Sequence, residues 1–100
     1  MENLESLTLE FDCSIDSLEP IHRLEEELRS TLNSNVGYLD GHEICIDCTH
    51  GILYLFGKDA SKILDEIKTS LKNASFLTFK YGNIRQLNTE GESKRFKLTL

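Results

Sequence analysis

The sequence predicts a single α+β domain over residues 1–100, in which two helices cover one face of an antiparallel sheet. A chain of 100 residues rarely divides into two units that each bury a core. Hydrophobic residues make up 39% of it and charged residues 28%, a balance typical of globular proteins. Apolar residues recur at helical spacing in two segments and at strand spacing in four, and one further segment is a short continuous apolar run typical of a buried strand.

The first half of the chain predicts a strand, a helix and a second strand. Residues 7–15 alternate strictly between apolar and polar side chains, which is the period of a half-buried strand. Over residues 18–32, apolar side chains recur at spacings of three and four, and Asp16 or Ser17 precedes them as the expected helix cap. Alternation returns over residues 43–48, which predicts the second strand.

The second half predicts a hairpin, another helix and two more strands. A short turn leads into residues 52–56, which are apolar on both faces, as in a central strand. Asp59 is expected to cap a helix over 60–73. Residues 76–81 predict a strand that ends at a glycine turn, and residues 96–100 alternate as a further strand.

The predicted order β-α-β-β-α-β-β contains strand-helix-strand twice around a tight hairpin. This is the split βαβ pattern (βαββαβ) of ferredoxin-like sandwiches, here with an extra C-terminal strand. Because both crossovers should be right-handed, both helices should lie on one face of the antiparallel sheet. The other face is then expected to be polar and to meet solvent.

Terminal composition and cysteine content indicate the compartment. The N-terminus has no basic residue and no apolar run, so no signal peptide is expected. No apolar stretch approaches the roughly 20 residues that span a bilayer. Three cysteines are an odd set, which fits a reducing environment. We expect a cytoplasmic protein without membrane association.

Charge is distributed unevenly along the chain. Residues 1–50 contain twelve acidic and two basic residues, a formal charge of −10, whereas residues 51–100 carry +4. An acidic surface repels nucleic-acid phosphates and attracts cationic partners. The predicted third strand also lacks the basic-aromatic signature of RNA-binding domains. Nucleic acid is therefore not an expected partner.

The densest group of metal-binding residue types lies between His42 and His50 and includes Cys45 and Cys48. Structural zinc sites need ligands that converge, and their C-x-x-C pairs usually sit on a turn. Here the pair falls in a predicted strand, where a separation of three puts the two side chains on opposite faces. We expect ordinary strand cysteines, with no metal and no other cofactor.

No catalytic arrangement is recognisable in the sequence. The three histidines, His22, His42 and His50, have no neighbouring pattern that marks an activated nucleophile, and no glycine-rich phosphate loop is present. Carboxylates are so frequent that some will be close in space without doing acid-base chemistry. The expectation is a protein that is not an enzyme.

Three segments carry a resemblance to a known family: residues 37–44, 53–60 and 77–82. They contain the patterns D-G-x-E, L-Y-x-[YF]-G-x-D-A and L-x-[FY]-x-Y-G in this order. In these the chain resembles a family of small bacterial α/β proteins, over most of its length. The Cys45/Cys48 pair departs from the family's usual pattern, which further argues against a metal role.

Small acidic bacterial domains of this kind are often immunity proteins, which neutralise toxins of contact-dependent growth inhibition and other polymorphic toxin systems. By this analogy the partner is a cognate toxin domain, expected to be a basic nuclease. Carboxylates would occupy the place of its substrate's phosphates, and aromatic side chains would add anchors. The expected binding residues are Glu10, Asp12, Glu25, Glu26, Glu43, Asp47 and Tyr54.

Two alternatives remain open. One is a small-ligand or metal-responsive regulatory domain that uses the hairpin around Cys45, Cys48 and His50. The other is an enzyme of unrecognised type, which a deep cleft containing a histidine with a displaced pKa would support. The oligomeric state is not predicted.

Overall fold

A computed structural model describes residues 4–44, 49–86 and 93–100 as two helices and five strands. This is the predicted α+β class, with the elements in the predicted order. No helix in these residues is long and apolar enough to cross a membrane. In chain order the elements are β1 (Glu5–Cys13), α1 (Glu19–Thr31), β2 (Gly37–Ile44), β3 (His50–Gly57), α2 (Ala60–Asn73), β4 (Leu77–Gln86) and β5 (Lys94–Lys97).

The strands form one sheet in the order β2-β3-β1-β4-β5, and every neighbouring pair is antiparallel. β1 is central, with β3 on one side and β4 on the other. β2 and β5 are the edges. Such a sheet with two helices is compatible with the ferredoxin-like split βαβ fold predicted from the sequence.

A single core cluster joins the sheet to both helices. Every second residue of the strands and one stripe of each helix contribute to this cluster. This follows from the side-chain periods of about 2 residues in a strand and about 3.6 residues in a helix. Each fully buried large side chain contributes roughly 1.5–3 kcal/mol through loss of exposure to water. The largest of these side chains are Phe11, Leu7, Leu9, Ile21, Leu28, Leu53, Leu55, Ile63, Ile67 and Leu71.

The two helices begin differently. The Asp59 carboxylate caps α2 as predicted, because it accepts a hydrogen bond from the Lys62 amide at 3.2 Å. In α1 the N-cap position belongs to Leu18, which makes no side-chain cap bond, so neither Asp16 nor Ser17 is the N-cap residue itself. Ser17 nevertheless satisfies a free amide as predicted, because its hydroxyl accepts a hydrogen bond from the Glu19 N–H at 3.4 Å. α1 has a proline in its first turn, and proline has no backbone N–H. The start of this helix therefore has one fewer N–H group that a cap would have to satisfy.

Several strands differ in extent from the prediction. β1 covers Glu5–Cys13 where residues 7–15 were predicted, and β5 covers Lys94–Lys97, so residues 98–100 of the predicted last strand lie outside it. β2 begins at Gly37, well before the predicted residue 43, and the predicted continuation over 45–48 lies outside the described residues. β4 runs through Gly82 to Gln86 where a turn was predicted. Gly82 pairs with Phe96 of β5, and a Cβ atom on it would lie 2.4 Å from the Phe96 ring. This glycine therefore makes room for an aromatic ring and does not end the strand.

A bulge in β2 decides which way the end of that strand faces. Leu39 pairs with Leu55 and Gly41 with Tyr54, so Asp40 is the extra residue. Beyond the bulge, His42 pairs with Leu53, a core residue. The shift therefore directs His42 toward the helices, and its neighbour Glu43 toward the opposite face.

Candidate functional site

The strand residues that alternate with the core residues form a second surface, which we call the open face. Each of its side chains is exposed or half-buried, and the register places them side by side across all five strands. The members used below are Glu10 and Asp12 of β1, Tyr38 and Glu43 of β2, Ile52, Tyr54 and Phe56 of β3, Lys80 and Tyr81 of β4, and Arg95 of β5.

Ion pairs occupy the half of the open face around β1, β4 and β5. Asp12 accepts from the Lys80 ammonium at 2.8 Å, and a Glu10 oxygen lies 3.4 Å from the Arg95 guanidinium. Arg95 also lies over the Tyr81 ring, 4.2 Å from its centre. The hydrogen bond and charge of Asp12 raise the pKa of Lys80. These residues line an open groove of about 350 Å³.

Aromatic side chains occupy the other half, on β2 and β3. The Tyr38 ring stacks on Phe56 with centres 5.7 Å apart, and Tyr38 remains 55% exposed. Tyr54 pairs with Gly41 of β2, and a Cβ atom on that glycine would meet nothing within 4 Å, so the surface beside Tyr54 is open. Burial, and then a hydrogen bond to Glu43 and the charge of that carboxylate, raise the pKa of Tyr54 above 10.0. This half can bind by stacking and by hydrogen bonds.

The structure brings together four of the seven predicted binding residues. Glu10, Asp12, Glu43 and Tyr54 share the open face. Glu26 is exposed on α1, outside the sheet. Asp47 lies outside the described residues.

Glu25 does not share this surface, contrary to the sequence-based expectation of an exposed acidic group. It is 5% exposed, on the side of α1 that faces the protein interior. An ionised carboxylate in such a position needs a partner. Its Oε1 atom lies 2.9 Å from Nδ1 of His42, which the β2 bulge has turned toward the helix.

His22 completes a cluster with Glu25 and His42. Each offers one ligand atom, and these three atoms all lie within 4.8 Å of one another. The ring centres of the two histidines are 5.8 Å apart. This group was not predicted from the sequence, although the spacing of three between His22 and Glu25 places both on one side of a helix. Only the fold adds His42.

The sequence-based metal candidate at the hairpin is placed only in part. Cys45 and Cys48 lie outside the described residues. His50 is exposed at the start of β3, with its Nδ1 atom 3.2 Å from the Thr49 hydroxyl. His42, considered with them in the sequence, belongs to the cluster beneath α1.

A further cavity, of about 740 Å³, lies at the start of α2. Its lining includes Glu5, Lys58 and Asp59. Helix amides in such a place can bind anions. Here two carboxylates of the chain already accept from them, Glu5 from the Ala60 amide at 2.8 Å and Asp59 from the Lys62 amide. The cavity is therefore a weaker candidate than the open face.

Similarity to known proteins assigns no function to these surfaces. The resemblance to a bacterial α/β family stays a prediction from the sequence. The open face and the cluster beneath α1 are therefore the two candidate sites. Comparison with family models, with curated proteins and with solved structures gave no match.

Proposed function

We propose that this protein is a non-enzymatic immunity or inhibitor protein that binds and neutralises a basic toxin domain through its open face. The observation that carries the proposal is the mixture of aromatic and ionised side chains on a sheet surface outside the core cluster. A cytoplasmic location is part of the proposal, because such an inhibitor must meet the toxin where the toxin acts.

We also infer the finer architecture, a ferredoxin-like sandwich with one added C-terminal strand and both helices opposite the open face. Two observations support it. α1 contacts α2, and residues of both helices share one core cluster with Leu9 and Leu53 of the central strands. A sheet backed in this way is a rigid platform, which lowers the entropy cost of binding.

Aromatic side chains would supply most of the affinity. Tyr38 is more than half exposed yet is already held by its stack on Phe56, so little motion is lost when a partner covers it. Tyr54 is half-buried beside Glu43, whose carboxylate helps to raise the pKa of its phenol. Tyrosine and arginine are the residues most enriched among those that dominate interface energies, and Tyr81 with Arg95 adds such a pair.

Carboxylates would supply selectivity for a basic partner. Glu43 is exposed beside the aromatic half. Glu10 and Asp12 are paired within the chain, but the Asp12–Lys80 pair is about half exposed on both sides. Solvent screens exposed pairs of this kind, so they contribute little to stability and a partner's lysine or arginine can replace Lys80 at small cost.

A protein fits this face better than a nucleic acid does. An RNA strand on an open sheet would stack bases on Tyr54 and pass its phosphates over the neighbouring strands. Those positions include Glu10, Asp12 and Glu43, which repel phosphate. A basic protein surface meets the same carboxylates favourably.

The test needs the full-length chain and the C-terminal domain of a large secreted protein encoded in the adjacent reading frame. We expect a complex by co-purification and a dissociation constant that rises with salt between about 50 and 500 mM. Tyr38→Ala should weaken binding by roughly tenfold or more, because it removes an exposed anchor. Glu43→Lys should weaken it most at low salt.

Matched controls lie outside the open face. Leu18→Ala removes an exposed apolar side chain at the start of α1, and Asp65→Lys reverses an exposed carboxylate on α2, so neither should change the dissociation constant. Equal weakening by variants and controls would refute the assignment of the face. Absence of any complex, or binding of single-stranded RNA in its place, would refute the proposed function.

A further inference from the structure

The cluster beneath α1 has the composition of a transition-metal site. His22 and Glu25 lie on the same side of α1, and His42 reaches them from β2. Two imidazoles and one carboxylate are the ligand set of many zinc sites, and they favour zinc and its neighbours over calcium or magnesium. None of the three belongs to the open face.

An ion pair within the protein accounts for only part of this arrangement. The contact between Glu25 and His42 compensates the buried carboxylate. It gives no reason for a second imidazole, that of His22, with its ring centre 5.8 Å from that of His42.

The ligand atoms of the three residues are close enough to bind one ion after a small movement. Zinc lies about 2.0–2.2 Å from nitrogen and oxygen ligands, so two ligand atoms of a tetrahedral site are roughly 3.4 Å apart. In the cluster the ligand atoms lie within 4.8 Å of one another, and Glu25 and His42 are at 2.9 Å. His22 is exposed, so its ring can move by the remaining distance without disturbing the core.

We propose that His22, Glu25 and His42 bind one zinc ion. Three protein ligands leave a fourth position for water or for a ligand from another molecule. The ion would join α1 to the edge strand β2, the next element along the chain. Since the unfolded chain does not hold the three ligands together, binding should stabilise the folded protein. This inference is independent of the proposed inhibitor function.

The direct test is titration of the metal-free full-length chain with zinc chloride, in the presence of a non-thiol reductant, by calorimetry. We expect one zinc per chain and a rise in melting temperature that a chelator reverses. Cobalt then reports the donor atoms, and we expect a tetrahedral visible spectrum without the sulfur-to-metal absorption of thiolate ligands. Failure to bind zinc, or a rise in melting temperature without saturation at one ion, would overturn the proposal.

Variants locate the site. His22→Ala removes an exposed ligand and should leave the fold intact while weakening zinc binding by at least roughly tenfold. His50→Ala removes another exposed histidine, on β3, and serves as the matched control with unchanged affinity. Glu25→Gln should also weaken binding, with circular dichroism as a check of folding.

The hairpin cysteines are the competing ligands. A Cys45→Ser, Cys48→Ser double variant should bind zinc as the wild type does. Loss of zinc binding in this double variant, or unchanged binding in His22→Ala, would assign the metal to the hairpin and overturn the cluster as the site.

Discussion

At the scale of single residues, the same residue types have different roles on the two sides of the sheet. Glu25 and Glu43 are both predicted surface acids, but one is buried against His42 and the other faces outward beside Tyr54. The difference comes from the partners that the fold supplies. A buried carboxylate needs a hydrogen-bond donor, and an exposed one is available to a binding partner.

The environment of Tyr54 predicts a pH dependence. Burial and Glu43 raise its pKa in the folded state above the ordinary 10.0, so the folded protein keeps this proton longer than the unfolded chain. Its contribution to stability is therefore fully present below about pH 10 and is lost as pH rises through the folded-state pKa. Glu43→Gln should lower the pKa of Tyr54, but not to the ordinary value, because burial is the larger cause.

A titration of the phenol by ultraviolet absorption from about pH 9 to about pH 12 measures this, with Tyr38→Phe and Tyr81→Phe present so that one tyrosine is observed. Asp65→Asn, a change on α2, is the matched control. An ordinary Tyr54 pKa in the Tyr38→Phe, Tyr81→Phe protein, or a Tyr54 pKa that does not change with Glu43→Gln, would contradict the contact between Tyr54 and Glu43.

At the scale of elements, glycines set how closely neighbouring segments approach. A Cβ atom on Gly57, at the end of β3, would lie 2.2 Å from the Val36 carbonyl oxygen and 2.7 Å from Ile63 Cδ1. Backbone on one side and a core side chain on the other leave no room for a methyl group. The close packing of α2 on the β2–β3 hairpin thus depends on this residue.

Gly57→Ala should therefore destabilise the protein by about 1–3 kcal/mol through overpacking. Gly41→Ala is the matched control, because a Cβ atom there would meet nothing within 4 Å, and it should change stability by less than about 0.5 kcal/mol. Urea denaturation of both variants measures the free energy of unfolding. Equal stabilities for the two would show that the segments are not packed as described.

At the scale of the whole molecule, the strand order turns a charge asymmetry of the sequence into a spatial one. The acidic first half supplies α1 and the edge strand β2, and the basic second half supplies β4 and β5 at the other edge. Central β1 separates them. One side of the molecule is thus more acidic and the other more basic, which would orient an approaching charged partner.

The central position of β1 also predicts cooperative unfolding. Leu9 is fully buried, and β1 pairs with β3 on one side and β4 on the other. Leu9→Ala should destabilise the protein by about 2–5 kcal/mol. Circular dichroism and tyrosine fluorescence should still report one common transition, since both halves depend on this strand. Exposed Thr99→Ala is the control, and two separated transitions would contradict the shared core.

Sequence patterns determined the order of the elements, the inward face of β1, the stripe of α2 and its Asp59 cap, because these follow from local periodicity and capping. They did not distinguish the two faces of β3, because residues 52–56 are apolar throughout, and the expected cover on both faces is wrong: Leu53 and Leu55 are buried, whereas Ile52, Tyr54 and Phe56 lie half-buried on the open face. The sequence also predicted Glu10, Asp12, Glu43 and Tyr54 as binding residues, and the structure places all four on the open face. What only the tertiary structure decided was pairing: Lys80 and Arg95 against the β1 acids, and Phe96 on Gly82. It also decided the Asp40 bulge that turns His42 toward Glu25 and His22. Bulges and contacts between distant segments depend on which strands become neighbours. The periodicity of a single segment contains no information about its neighbours in the sheet.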